Sequence, residues 1–432
     1  MTGLAARNGG RIGLAALATI LLLGVGLRLD DAWQGRAPVY DAQGYAQIAA
    51  NLERGEGFTL GPGATQSADN YSPGLPLLAG GIYELTGGVH ERLARLVLAL
   101  IGSLAVLFAY LIGRRLSGPP AGLVGGAAVA IYPALLEYQG MLMSEPLAAT
   151  LLSAAVLAIL WAADAGHRRV RWLVPGLLLG ALALTRPEYL AISLPIAVVV
   201  FARGGRTSWR QGLVQALVLL AGLVVVVAPW TARNAIALDR LVPVSTGGGQ
   251  VLFSGSYMPS GGDPERVGAE ALERHPELRA QLPPEPRLEQ ILAVLAKQRY
   301  PELESDAALA RMGRERLWDD VSERPLAYAG FVAAKIGRIW GHGPRDVMRE
   351  PVWEVLHWLL VALGLLGLGL LAWQRRWEAL LLGVILVAVT ATGALLVASP
   401  RRLLVTIPVV AALAGTATTW LVRTCTERRR SA

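Results

Sequence analysis

A chain of 432 residues with 53% hydrophobic and only 17% charged residues, and a mean hydropathy of +0.45, is too apolar for the mixed surface of a soluble domain. The net charge of +8 sits in short arginine clusters between apolar stretches rather than on one soluble face, which argues against nucleic acid and for anionic lipid headgroups. One cysteine, Cys425, excludes an intrachain disulfide, and the five histidines lack metal-ligand spacing, so no cofactor follows and a divalent metal has no support in the sequence.

Hydrophobic blocks of roughly 14 to 22 residues approach or exceed what a ~30 Å hydrocarbon core demands, which predicts an all-α polytopic membrane protein of about ten transmembrane helices. Arg7 and Arg11 followed by Ile12 to Leu27 have the build of a signal peptide or of a first span. The absence of a small-x-small cleavage site favours a retained span. A long first outer loop runs from Arg28 to Arg95, with the acids Asp30, Asp31, Asp41, Glu53 and Glu56, and returns through Tyr71-Ser72-Pro73-Gly74-Leu75-Pro76. Spans follow over 96–113, 121–136 and 147–163. Two shorter apolar runs, 172–185 and 189–202, are hinged at Arg186-Pro187-Glu188, and a further span covers 213–228. The polar stretch Thr231 to Glu350 comes next, and the last spans are 352–373, 379–398 and 403–422. Three parts result: an N-terminal transmembrane module (1–230), an outer helical region (231–350) and C-terminal transmembrane helices (351–432).

Arginine placement orients the chain. With both termini cytoplasmic, Arg7, Arg11, Arg114, Arg115, Arg168, Arg169, Arg171, Arg203, Arg206, Arg210, Arg375, Arg376, Arg423 and the terminal cluster all fall inside, and the first loop and 231–350 face outwards. Within the outer region Pro283-Pro284-Glu285-Pro286 breaks the chain. Helices are predicted over 288–298, 305–323 and 325–340, the middle one capped by Ser305-Asp306, with too little apolar content to mark an independent core.

Ionisable groups at a membrane boundary are costly and therefore candidates for function. Asp41 reads as a general base, or else as a solvated loop acid or a plain cap of the helix that follows it. Glu145, in Met143-Ser144-Glu145-Pro146, reads as a second acid or as a first-turn complement to a helix dipole. Arg186 and Glu188 form either a local ion pair or part of an anion site. Arg401 and Arg402 stand at an outward span end against the positive-inside bias, so they either snorkel or hold a phosphate. Trp230 suits an interfacial belt, while Arg233 offers another contact to an anionic headgroup. Gly247-Gly248-Gly249 lacks the frame of a nucleotide loop, and no Asp-x-Asp, Gly-x-Ser-x-Gly or His-Glu-x-x-His motif occurs, which leaves a soluble nucleotide donor without a site.

The ordered set Asp41-x-x-x-Tyr45, Ala49-x-Asn51-Leu52-x-x-Gly55-x-Gly57-Phe58, Ser72-Pro73-Gly74-x-Pro76, Ser144-Glu145-Pro146, Thr185-Arg186-Pro187-Glu188, Pro229-Trp230-x-x-Arg233-Asn234 and Pro400-Arg401 resembles the bacterial GT-C glycosyltransferases. It is similar in particular to the protein O-mannosyltransferase and aminoarabinose (lipid A) transferase type. That resemblance implies transfer of a sugar, with inversion, from a polyprenyl-phosphate donor to a glycan, lipid or protein hydroxyl on the outer face of a bacterial inner membrane. Asp41 and Glu145 would be the catalytic acids, Arg186, Arg233, Arg401 and Arg402 the donor phosphate contacts, and Tyr45, Tyr71 and Glu188 the pocket. Ala42 stands where the protein O-mannosyltransferases carry a second adjacent acid, which counts against a protein acceptor. A lipid-linked-sugar flippase or a non-catalytic envelope assembly protein is the alternative. The flippase would be expected to carry an internal repeat, and none is visible.

Overall fold

A computed structural model describes residues 2–38, 41–61, 63, 66–164, 168–341 and 343–431. Val39 and Tyr40 of the first-loop motif, and His167, lie outside the described residues. Helices make up nearly all of it, and the strands described are a two-residue antiparallel pair, Thr59–Leu60 with Gln66–Ser67. The protein is an all-α polytopic membrane protein. Among the described residues eight helices are long and apolar enough to span a bilayer: Arg11–Gln34, Glu91–Ser117, Ser144–Asp164, Glu188–Gly205, Trp209–Leu238, Pro351–Trp373, Trp377–Leu395 and Ile407–Arg429. A bent pair, Pro119–Ile131 with Pro133–Gly140, turns by 55° and brings the number to nine when taken as one span. The remaining predicted span is the 13-residue helix Leu173–Thr185, about 20 Å long at 1.5 Å per residue and too short to cross a ~30 Å core.

The chain divides into two compact units. The first comprises 1–244, 343–386 and 404–432, and the second 245–342 and 387–403. In the first, the Ile407–Ser431 helix packs on Glu91–Ser117, Pro119–Ile131 and Pro351–Trp373, and is buried almost continuously from Ile407 to Ala417. Leu22, Val198, Val225 and Leu365 point outwards from the spans, as lipid-facing side chains must.

The bend has an identifiable cause. Pro133 has no N–H to donate and Tyr132 is extended (φ −68°, ψ 113°), so the Pro119–Ile131 helix ends with orphan carbonyls. The fully buried Arg28 supplies them: its guanidinium donates to Val129 O at 2.8 Å, Ala130 O at 3.1 Å and Gly24 O at 3.1 Å. Inside a membrane no water could do this, which explains an arginine near the end of the first span. Beside the bend Tyr132 Oη lies 3.0 Å from Nδ1 of the buried His357.

In the second unit the helices Leu288–Arg299, Ser305–Glu323 and Pro325–Gly341 start where the sequence places them and end within one residue of the expected positions. Two expectations fail. Phe253, Tyr257, Val267, Ala271, Leu272, Leu278, Ile291, Leu292, Leu295, Ala296, Ala308 and Leu309 form a hydrophobic core, so this region does build its own interior. Nor does Ser305-Asp306 cap its own helix: position N-cap is Glu304, without a side-chain cap bond. Asp306 Oδ1 instead accepts from the backbone N–H groups of Gly249 and Gln250, at 2.9 and 3.1 Å, and so caps the Gly248–Ser256 helix.

Candidate active site

The first loop folds into the helices Ala42–Glu53 and Gly74–Thr86 with the hairpin between them. Asn51 organises that hairpin. Fully buried, it donates through Nδ2 to Thr59 O (3.1 Å), Thr59 Oγ1 (3.2 Å) and Gly61 O (3.2 Å). Gly55 and Gly57 turn the chain into it with φ of +75° and +76°, a conformation glycine adopts without strain. The Asn51-to-Phe58 part of the motif is therefore explained by folding.

Asp41 occupies the N-cap position of Ala42–Glu53 with an α-region backbone (φ −81°, ψ −5°), and its carboxylate makes no cap hydrogen bond. The plain capping role is thereby removed. One turn on, the buried Tyr45 meets Tyr71 edge to face, with ring centroids 5.5 Å apart. Gly44 makes room, since a Cβ there would fall 2.4 Å from the Tyr71 hydroxyl.

Tyr71 joins two apolar clusters. One contains Tyr45, Leu75, Tyr83, Leu142 and Leu147, and the last two flank Glu145 in the chain. The other contains Ile48, Phe58 and Ala68 with Trp230 packed against them. Burial pushes the Tyr83 hydroxyl pKa well above its ordinary range.

Glu145, in the first turn of Ser144–Asp164, is fully buried, with Oε1 3.2 Å from Arg186 Nη1. Arg186 Nε donates to Glu188 Oε1 at 3.1 Å. The result is a half-sequestered acid–arginine–acid triad at the junction of the helices Leu173–Thr185 and Glu188–Gly205. Gly74 of the Ser-Pro-Gly motif packs against that junction, where a Cβ would come within 2.5 Å of Thr185 Oγ1 and 2.9 Å of Thr185 Cα. Thus three motifs far apart in sequence are brought to one place.

Arg233 lies over Trp230 at 4.9 Å and Phe58 at 5.6 Å, and donates to Asn234 Oδ1 at 3.1 Å. Trp230 Nε1 donates to Val244 O at 2.7 Å and the ring meets Phe58 at 4.9 Å, so it is held by this loop and is not simply an interfacial anchor. Arg401 and Arg402 belong to the second unit. There Arg402 Nε donates to Val397 O at 3.1 Å, and the Arg401 backbone N–H donates to Ser399 Oγ at 3.3 Å.

Two further charged clusters join residues from separate parts of the chain. In the first unit Glu137 accepts from Arg345 Nε at 2.6 Å and sits 3.9 Å from Arg36, which also pairs with Asp31. In the second, the fully buried Lys335 donates from Nζ to Gly255 O at 2.8 Å and Leu396 O at 2.5 Å. Burial, reinforced by Arg402 and Arg338, draws its pKa down to about 8. Neither cluster has a local spacing signal, because each pairs residues from separate parts of the chain. Among the described residues no group of three or more metal-ligating side chains occurs.

Long apolar helices, a first loop rich in motif residues and a half-sequestered acid–arginine–acid triad define a polytopic membrane protein with a charged site. Residues 70–231 match the dolichyl-phosphate-mannose-protein mannosyltransferase family. That stretch contains Tyr71, Glu145, Arg186 and Glu188, and leaves out Asp41, Tyr45, Arg233, Arg401 and Arg402. No curated protein matches the chain by sequence. The archaeal oligosaccharyltransferase AglB from Archaeoglobus fulgidus, in complex with an inhibitory peptide and a dolichol-phosphate, has a similar fold. Its TM-score is 0.58 at 16% identity, over 97% of this chain and 51% of that one. The Archaeoglobus fulgidus oligosaccharyltransferase in complex with Zn and sulfate gives 0.59 at 17% identity, over 96% and 50%. This chain spans about half the length of those enzymes, and the likeness is one of fold. ArnT from Cupriavidus metallidurans bound to undecaprenyl phosphate aligns over 96% of this chain and 78% of that one at 15% identity, with a TM-score of 0.43.

Proposed function

We propose that this protein transfers a sugar from a polyprenyl-phosphate donor to an acceptor hydroxyl at the outer face of a bacterial inner membrane, with both termini cytoplasmic. The observation that carries the reading is the coincidence of the mannosyltransferase-family segment with the half-sequestered Glu145–Arg186–Glu188 triad. The acceptor oxygen attacks the anomeric carbon, the bond from that carbon to the phosphate oxygen breaks, and the polyprenyl phosphate leaves with the electron pair. A single displacement of this kind inverts the anomeric centre. Asp41 takes the acceptor proton, its carboxylate not being committed to capping a helix.

Glu145 is the second acid, held in place by Arg186. Arg233, with its guanidinium over two aromatic rings, is a contact for the departing phosphate. Arg186 shares that role in a weaker form, because two carboxylates beside it already answer its charge. Tyr45 and Tyr71 line the pocket, and Glu188 completes it. Arg401 and Arg402 are assigned to phosphate binding on a separate ground, their position against the positive-inside bias.

The test is initial-rate transfer by purified protein in nanodiscs, with a polyprenyl-phosphate mannose donor and a series of hydroxyl acceptors. Asp41→Asn keeps the shape but cannot take the proton, and turnover should fall ~100-fold or more with donor binding little changed. Asp30→Asn and Glu53→Gln should be nearly silent. Near-normal turnover in Asp41→Asn would remove the base assignment.

A further inference from the structure

The second unit carries an open groove of about 610 Å³ lined by Arg299, Tyr300, Arg314, Glu315, Trp318 and Asp319. Its size falls within the usual range for a small-molecule site, roughly 300 to 1,000 Å³. The lining residues from the Ser305–Glu323 helix form one stripe, three to four residues apart, on a face other than the one that buries Ala308, Leu309 and Gly313. None of these helices is long and apolar enough to be a span, so the stripe is not explained by lipid.

Part of the wall is fixed by internal bonds. Tyr300 Oη donates to Glu315 Oε2 at 2.5 Å, Arg311 Nε donates to Glu315 Oε1 at 3.0 Å, and the Arg311 guanidinium lies 4.4 Å from the Tyr300 ring centroid. The Tyr300 hydroxyl, then Arg311, hold the Glu315 carboxyl below its usual pKa range. Both oxygens of Glu315 are thus used. Trp318 is not: its residue surface is 74% exposed, an unusual state for the largest apolar side chain. Among the described residues the side chains of Arg314 and Asp319 also have no hydrogen-bond or ion-pair partner. The groove therefore offers a bare indole face, a bare guanidinium fork, a bare carboxylate and a second arginine, Arg299.

That combination selects a ligand class. An indole face suits the C–H face of a pyranose, and paired donors and acceptors around it suit vicinal hydroxyls. Of the lining charges, Arg299 and Arg314 stand against Asp319 and a Glu315 already answered by Arg311 from outside the groove, which favours a ligand that brings its own negative charge. We propose that this groove binds an acidic saccharide, with a sugar ring stacked on Trp318, its acid group held by Arg314 and Arg299, and its hydroxyls donating to Asp319. This is a binding site, and it does not depend on the transfer reaction proposed above.

The test is titration calorimetry on the full chain in nanodiscs, with penta-galacturonate, the neutral maltopentaose and pentaglutamate as probes. Penta-galacturonate should bind saturably, and both other probes at least ~10-fold more weakly, the loss expected when a charge-assisted contact or a stacked ring is missing. Trp318→Ala and Arg314→Ala should each weaken penta-galacturonate by ~10-fold or more. Both side chains are exposed, so the variants should keep the wild-type elution profile and melting curve. Equal binding of pentaglutamate would reduce the groove to a charge patch, and equal binding of maltopentaose would remove the acid group from the proposal. Absence of binding by all three, or unchanged binding in Trp318→Ala, would overturn it outright. Loss of transfer activity in Asp41→Asn with penta-galacturonate binding retained separates this site from the proposed active site.

Discussion

Arg186 gives the sharpest test of how the candidate site is held together. Glu145 is entirely buried and lies 3.2 Å from Arg186, whose other side meets Glu188 at 3.1 Å. At an effective dielectric constant of ~20, unit charges 3.2 Å apart attract by about 5 kcal/mol, most of which offsets the cost of taking both out of water. The net value of the pair is therefore small, whereas the cost of breaking it from one side is large. Arg186→Met removes the cation beside a fully buried carboxylate, with a second carboxylate close by, and should destabilise the protein by about 3 to 5 kcal/mol. Glu145→Gln removes the charge that Arg186 was answering and leaves Glu188 to pair with it, so it should cost only about 1 to 2 kcal/mol.

The double variant Glu145→Gln/Arg186→Met then distinguishes coupling from simple packing loss. With no buried charge stranded at Glu145, it should recover about 2 kcal/mol or more relative to Arg186→Met alone. The assay is equilibrium unfolding of purified protein by dodecyl sulfate titration in mixed micelles. A cost below ~1 kcal/mol for Arg186→Met, or a double variant no more stable than the worse single one, would refute the reasoning. Either result would make Arg186 a residue whose charge is answered by something other than Glu145.

Asn51→Ala should release the hairpin at 59–67 by removing a buried donor to three acceptors, at about 1 to 3 kcal/mol. Hydrogen exchange should then rise at 56–68 more than in the spans. Lys335 imposes a pH dependence. Its folded-state pKa of about 8 lies below the ordinary 10.5, so between those values the unfolded chain binds more protons than the folded one and stability rises with pH. Lys335→Met should abolish that rise, and unfolding midpoints measured from pH 7 to 11 that stay parallel in the two proteins would count against it. Arg401→Ala should raise the apparent Michaelis constant for the donor by roughly ten- to a hundredfold with folding intact, and an unchanged constant would return Arg401 to a role at the membrane interface.

What the sequence disclosed and what it withheld divide by the range of the interactions. Helix limits in 288–341 were readable because prolines at 286, 301 and 325 act within a residue or two of where they stand. Positions of long spans were readable because apolar length is a local property, although the short apolar run that forms the 13-residue Leu173–Thr185 helix is counted with them in the sequence. The partner of Glu145 could not be read, since nothing local joins it to an arginine 41 residues later. Nor could the use of Asp306, which looks like a cap for its own helix and instead caps one that begins 58 residues earlier. Arg28 was visible only as the start of a loop. Its function as the cap of a broken helix depends on carbonyls about a hundred residues away.

The same distinction sorts the motif residues themselves. Gly44, Asn51, Gly55, Gly57 and Gly74 are each accounted for by a specific steric or hydrogen-bond requirement: room for Tyr71, the hairpin, or close approach to Thr185. Trp230 and Asn234 are likewise committed to Val244 and Val242 through hydrogen bonds of 2.7 to 3.0 Å. Asp41 differs from these. The backbone gives it the place of an N-cap, where a carboxylate would usually satisfy an orphan N–H and stabilise the helix by about 0.5 to 2 kcal/mol, yet it makes no such bond. The helix itself makes this checkable. If Asp41 carries no capping role, Asp41→Asn and Asp41→Ala should melt within ~0.5 kcal/mol of the wild type, and any loss of transfer in those variants is then a loss of chemistry rather than of fold.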